Sequence, residues 1–207
     1  DLHCDTLTAF LDAPSPAGER NTLDLPGHHF ALSKLPSGVR WCQCCAIFLP
    51  DELRGEEAIA YYERHQDSFR RQMERFSDRV LPCRTAAGIE NAWAAGKTAA
   101  VLTVENGSAL AGRLERVEQL ARDGVRMMTL TWNGANELGS GNDTGQGMTP
   151  FGREAVREME AQGILVDVSH LNDRGFDDLL EIARKPFAAS HSNARSVCPH
   201  RRNLTDD

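Results

Sequence analysis

Short apolar runs alternate with segments of helical period along almost the whole of this 207-residue chain, and that alternation confines it to an α/β fold with parallel strands. Six runs read as strands: residues 1–6, 39–49, 98–105, 125–131, 164–169 and 187–190. Helices fill the intervals. Ile59, Tyr62, Phe69, Met73 and Phe76 recur at helical spacings over residues 56–76. A second helix covers 85–95 and is stopped by Gly96, and a third, over Leu110, Leu114, Val117 and Leu120, ends at Gly124. Thr149 and Pro150 offer an N-cap and a proline at the first helical position for a fourth helix that runs to Gly163. Phe176, Leu179, Leu180 and Ala183 mark a fifth over 173–184. Two segments fit neither period. Residues 7–37 are rich in proline, with a turn signal at Leu25-Pro-Gly-His-His, and residues 132–148 hold five glycines and three asparagines. Both are expected to be loops, the second an irregular one on the surface.

Composition narrows the class of partner. With 23 basic residues against 30 acidic the formal net charge is -7, and no Lys/Arg run stands out, so the field repels nucleic acid and acidic membrane surfaces. A peptide or another small molecule is the expected partner. The 41% hydrophobic and 26% charged content is that of an ordinary soluble domain, and no run of about eighteen apolar residues offers a membrane span. No basic segment with an apolar core and a small-residue cleavage site opens the chain. Its cysteines, three of them in Trp-Cys-Gln-Cys-Cys at 41–45, do not space like a disulfide scaffold, so reduced thiols in a cytoplasm are expected. Cys42, Cys44 and Cys45 either hold a soft metal or are buried small hydrophobes, and the general behaviour of free cysteine favours the second.

The chemistry concentrates at the strand ends. His3 and Asp5 lie on the first predicted strand, Glu105 ends the third, His170 follows the fifth and His191 the sixth. In a (β/α) barrel the loops after the strands converge on one rim, where residues distant in sequence share a site. His3 and Asp5, two apart on extended chain, leave the same face and can chelate one ion while Cys4 points away. Glu105 closes an apolar run in which a carboxylate is costly unless a cation or hydrogen bonds compensate. Val168-Ser-His and Ala189-Ser-His repeat one design, an apolar strand that delivers Ser-His at its end. Imidazole and carboxylate ligands without thiolate suit zinc and also other first-row divalent ions. A lone histidine at a strand end is more often a surface or hydrogen-bonded residue, but five candidates on alternating strand ends shift that balance toward metal. Since a catalytic zinc usually takes three protein ligands, five suggest two ions about 3.5 Å apart with Glu105 between them, and hydrolysis of a carbonyl or phosphoryl bond. His28, His29, His65 and His200 lack this placement and read as loop or helix-surface histidines.

These motifs resemble the renal (membrane) dipeptidase family of zinc metallopeptidases. Asp1-Leu-His-Cys-Asp is similar to its opening His-x-Asp motif, Leu25-Pro-Gly-His-His to its early loop, and Val104-Glu-Asn-Gly to the segment of its bridging glutamate. Met128-Thr-Leu-Thr resembles its fourth strand, Asp167-Val-Ser-His and Ser190-His-Ser the segments of its later histidines, and Arg201-Arg-Asn-Leu-Thr-Asp-Asp its arginine segment. The resemblance implies a (β/α)8 TIM-type barrel, with about six strands present, and so a single hydrolase domain over 1–207 whose C-terminal part is missing. It also implies two Zn2+ ions, one held by His3 and Asp5, the other by His170 and His191, with Glu105 bridging. A metal-bridging hydroxide would then attack the peptide bond of a dipeptide, with D-residues accepted at the second position. Arg202 matches the residue that binds the substrate's C-terminal carboxylate, a task suited to a planar guanidinium fork. The family also suggests a homodimer.

Two departures stand out. Where family members carry a histidine near the scissile carbonyl, this chain has Trp132, either a hydrogen-bond donor to the reacting oxygen or an apolar wall of the substrate site. The family's late acidic residue has no counterpart before Asp207. Rival readings are another amidohydrolase-type barrel, against which His3-Cys-Asp5 counts because those usually open with His-x-His, and a non-catalytic homologue.

Overall fold

The computed structural model describes residues 1–12, 22–25 and 27–206, and these form two compact units. The first comprises residues 1–48 and 62–103, the second 49–61 and 104–207. Five strands occur among the described residues, β1 (Cys42–Phe48), β2 (Val80–Pro82), β3 (Thr98–Glu105), β4 (Val125–Thr129) and β5 (Leu165–Asp167). They alternate with helices α1 (Thr6–Asp12), α2 (Gly55–Arg75), α3 (Ala86–Ala94), α4 (Glu115–Asp123), α5 (Pro150–Gln162) and α6 (Asp173–Ile182). The fold is thus mixed α/β with parallel strands, as the alternation implies.

In the first unit β3 lies between β1 and β2. Val80 pairs with Thr98 and Pro82 with Ala100 in parallel register, and on the other side Ala99 N–H donates to the Trp41 carbonyl at 3.0 Å. Cys83, Ala92 and Ala99 close a small apolar cluster there, joined by Cys42, Leu81, Ile89 and Val101. Burial pushes the Cys42 and Cys83 thiols up, and Cys45, wholly buried, further still. Of the three cysteines of 42–45, Cys44 and Cys45 are buried and Cys42 is half-buried. The expected strand at 1–6 is an extended lead instead. Asp1 and Cys4 accept from Cys44 and Ala46 N–H, each at 3.0 Å, a ladder too uneven to continue. The chain turns at Asp5 into α1, which buries Leu7 completely. So short an apolar run does not reveal its own period, and packing decides it. Within the expected loop 7–37, α1 and a 3-10 turn at Leu32–Lys34 are ordered structure; the Leu25 turn is closed by His28 N–H to Leu25 O at 3.1 Å, and Pro26 lies outside the described residues. The short strand β2 was not expected, and His65, read as a surface histidine, is fully buried on α2.

In the second unit β4 and β5 pair in parallel, Met127 with Leu165 and Thr129 with Asp167. The caps here follow the sequence. Thr149 accepts the Gly152 N–H at 2.9 Å with Pro150 opening α5, and Gly163 and Gly124 end α5 and α4 in the left-handed region at φ 72° and 109°. Leu110 does not belong to α4. It ends a 3-10 turn, Gly107–Leu110, after which Ala111 and Gly112 take positive φ and interrupt the helical path. The expected strand at 187–190 is reduced to one parallel bridge between Asp167 and Ala188, with Ala188 N–H bonded to Val166 O at 2.9 Å and Val168 N–H to Ala188 O at 2.8 Å. On α6, Leu179 is buried whereas Leu180 is 55% exposed, against the apolar stripe assigned to both. Residues 132–148 are irregular, as expected, yet Leu138, Ser140 and Asn142 are buried, so the segment is more than a surface loop.

Candidate metal centre

Two strand ends and an isolated bridge deliver side chains to one point in the second unit. Glu105 is the last residue of β3; it is buried, and its backbone is pinned by Leu49 N–H to Glu105 O at 3.0 Å. His170 follows β5 in the left-handed region, φ 71°, a conformation that disfavours any residue with a Cβ and persists only where the surroundings fix it. His191 follows the bridge at Ala188. Glu105 Oε1 lies 2.8 Å from His170 Nε2 and 3.3 Å from His191 Nε2, and the two Nε2 atoms are 3.0 Å apart.

The far side of each ring determines what these atoms are. His170 Nδ1 is 2.9 Å from Asn133 Oδ1, an atom that only accepts, so Nδ1 is the donor and Nε2 presents a lone pair. Arg202 Nη2 donates to that Nε2 at 2.8 Å, while Nη1 donates to Ser192 Oγ at 3.1 Å. His191 Nδ1 is 2.7 Å from Ser190 Oγ, whose proton goes to Asp167. Three electron-rich atoms therefore converge with the guanidinium as neighbouring cation. Two ligand atoms on a tetrahedral zinc, each about 2.0–2.1 Å from it, stand roughly 3.3 Å apart, and the observed 2.8–3.3 Å separations lie within about half an ångström of that. The donor set fits a divalent ion.

Electrostatics agree with a neutral ligand. Burial holds His170 below the ordinary imidazole value, opposed by the nearby Glu105 carboxylate, with Arg202 and His191 adding to the lowering. Burial also lowers the Arg202 pKa from its ordinary value, against the pull of Glu105 and Asp167.

In the first unit His3 Nε2 and Asp5 Oδ1 are 3.2 Å apart, again a one-ion spacing, although Asp5 stands at the turn into α1 rather than on a strand. Cys4 turns to Thr6, its Sγ 2.9 Å from Thr6 Oγ1. These two residues line a cleft of about 770 Å³ with His28, His29, Lys34 and Trp41. Trp132 is half-buried, its ring centroid 6.3 Å from that of His170 and tilted by 46°.

Sequence reasoning did not single out the residues that hold this cluster. Asn106, φ 82° and wholly buried, donates to Leu49 O at 2.9 Å and Asp51 Oδ1 at 3.2 Å, and accepts from Ser108 N–H at 3.1 Å and Asn136 Nδ2 at 2.8 Å. It fixes the backbone next to Glu105. Its only local signal is its place in the Glu105-Asn-Gly motif. A methyl group on Gly107 would stand 2.8 Å from the Leu130 carbonyl, so that position admits no side chain. Asn133 and Asp167 orient the rings, and the repeated Ser-His pattern carries the signal for Ser190.

Imidazoles and a carboxylate gathered at the ends of parallel strands make a donor set that suits a divalent ion. The chain belongs to the membrane dipeptidase family (peptidase family M19), whose model matches residues 1–207. It is similar to a metallo peptidase from Rhodobacter sphaeroides liganded with a phosphinate mimic of the dipeptide L-Ala-D-Ala, 28% identical, with a TM-score of 0.90 over 100% of this chain and 68% of that one. It is similar also to the solved dipeptidase AC, a metallo peptidase of family M19, 28% identical with a TM-score of 0.75 over 78% of this chain and 54% of that one. An uncharacterized protein in the pqqA 5′ region of Klebsiella pneumoniae is 35% identical over 136 residues, 62% of this chain and 50% of its own length. The chain spans about half the length of the curated relatives it matches. Among the described residues no helix is long and apolar enough to cross a membrane.

Proposed function

We propose that this chain carries the site of a zinc-dependent dipeptidase. The observation that supports it most directly is the convergence of Glu105 Oε1, His170 Nε2 and His191 Nε2 at zinc-ligand spacing, each with its lone pair turned inward. In this reading Glu105, His170 and His191 would hold one Zn2+, and His3 with Asp5 a second. The neutral form of His170, favoured by burial, is the form that ligates. When bound, the ions supply Lewis-acid polarisation of the scissile carbonyl and a water acidified to near neutrality. The protein's own part is placement. Asn133 and Ser190 orient the imidazoles, and Asn106 fixes the backbone beside Glu105. The dipeptide as substrate is supported by family membership and by the dipeptide mimic in the Rhodobacter sphaeroides relative; D-residues at the second position belong to the same proposal. Metal analysis of the purified protein with hydrolysis of a dipeptide panel tests the whole reading. Metal-loaded protein that cleaves none of the panel would sink it.

Arg202, half-buried beside His170, is proposed as the anchor for the substrate's C-terminal carboxylate. Arg202→Lys is expected to raise KM for dipeptides by about tenfold or more while kcat changes little, because a point charge replaces a two-pronged donor. A C-terminally amidated dipeptide should be a poor substrate for both forms. Equal cleavage of amide and free acid by the unaltered protein would remove the clamp.

Trp132 is proposed as an apolar wall of the substrate site, given its ring beside His170. Trp132→Phe should then shift KM and side-chain preference, since packing is felt by substrate and transition state alike. A loss of about a hundredfold confined to kcat would instead assign the indole N–H to the reacting oxygen.

A further inference from the structure

Beyond the ligands themselves, we infer that Asp167 and Ser190 are positioning residues that hold the His191 imidazole in its Nδ1–H form, presenting the Nε2 lone pair to Glu105 and His170. The inference rests on the metal-centre reading above. Asp167 is 1% exposed, and its Oδ1 accepts the backbone N–H groups of Ser169 and Ser190, each at 3.0 Å. Its Oδ2 takes the hydroxyl proton of Ser190. A serine hydroxyl has one proton to give. Having given it to Asp167, Ser190 Oγ can only accept from His191 Nδ1, 2.7 Å away, so the ring proton must sit there. Ser169 Oγ accepts the His191 backbone N–H at 3.1 Å and lies 3.4 Å from Ser190 Oγ, so the serines of both Ser-His pairs constrain this one residue.

His170 takes its form from a separate set of groups. Its Nδ1 meets Asn133 Oδ1, which also accepts from Asn142 Nδ2 at 2.8 Å. The two rings are thus set alike by different chains, and Ser190 can be altered without touching the support of His170. Once Ser190 no longer accepts at Nδ1, the His191 proton is free to move to Nε2, where it would point at Glu105 and have to leave before a cation could bind.

The test reads the tautomer directly. Long-range 1H–15N spectra of the 15N-labelled protein, stripped of metal with a chelator and held above pH ~8 so that imidazoles are neutral, assign the protonated nitrogen of His191. Zinc affinity is measured alongside by chelator competition. The unaltered protein is expected to show the Nδ1–H form. Ser190→Ala should move His191 toward Nε2–H and weaken zinc binding by about 10–100-fold with the His170 signals unchanged, and Ser190→Thr, which keeps the hydroxyl, should retain both properties. An Nε2–H signal from the unaltered protein overturns the inference whether or not any variant folds. Zinc affinity lost in Ser190→Ala with the tautomer unmoved overturns it too, since Ser190 would then be only structural. Unaltered protein that shows Nδ1–H but takes up no zinc leaves the relay standing and rejects the metal reading instead.

Discussion

Glu105→Gln is expected to abolish dipeptide hydrolysis, by about three orders of magnitude or more, and to release at least one ion per chain. Gln keeps the shape of the side chain but brings an amide where two imidazole lone pairs already converge, and a neutral group cannot balance a dication. Elemental analysis and turnover read the two effects separately. Two ions retained with near-normal turnover would remove Glu105 from the centre of the site.

The second large effect is on folding. Asn106→Ala deletes a side chain with four hydrogen-bond partners and leaves the Leu49 carbonyl, Asp51, the Ser108 N–H and Asn136 each short of one. Leaving a buried group unsatisfied is worth about 1–3 kcal/mol, and alanine at φ 82° adds backbone strain of about 1–2 kcal/mol. A total loss of about 2–5 kcal/mol is expected, read as a fall in urea midpoint at constant slope. Asn106→Gly forfeits the same bonds without the strain, so it should be the milder of the two. A glycine variant as unstable as the alanine one would show that strain plays no part.

How much of this is legible in the sequence depends on whether a feature is local. β3 and α5 are read to within a residue because their signals lie inside the element: an apolar run in one case, Thr149-Pro150 and Gly163 in the other. The segments at 1–6 and 187–190 are misjudged because an apolar run of that length says nothing of the ladder it will meet. The metal-centre candidates stand out as residue types at strand ends. Their supports do not, since Asn106 matters through Asp51 and Asn136, and Asn133 through Asn142, partners that only the folded chain brings near.

The segment 132–148 combines two kinds of position, with a consequence for redesign. A methyl group on Gly141 would collide with the Trp132 carbonyl, one on Gly147 with Asp178, and one on Gly139 would press at 3.3 Å on Gly147 and Met148. Gly141 is closed to change, because every atom its methyl would strike is backbone. Gly145 has nothing within 4 Å of its would-be methyl, and Asp143, Thr144 and Gln146 are exposed beside it. A library meant to alter what the loop presents to its surroundings has its freedom at residues 143–146, and diversity spent on 141 would return misfolded chains rather than new specificities.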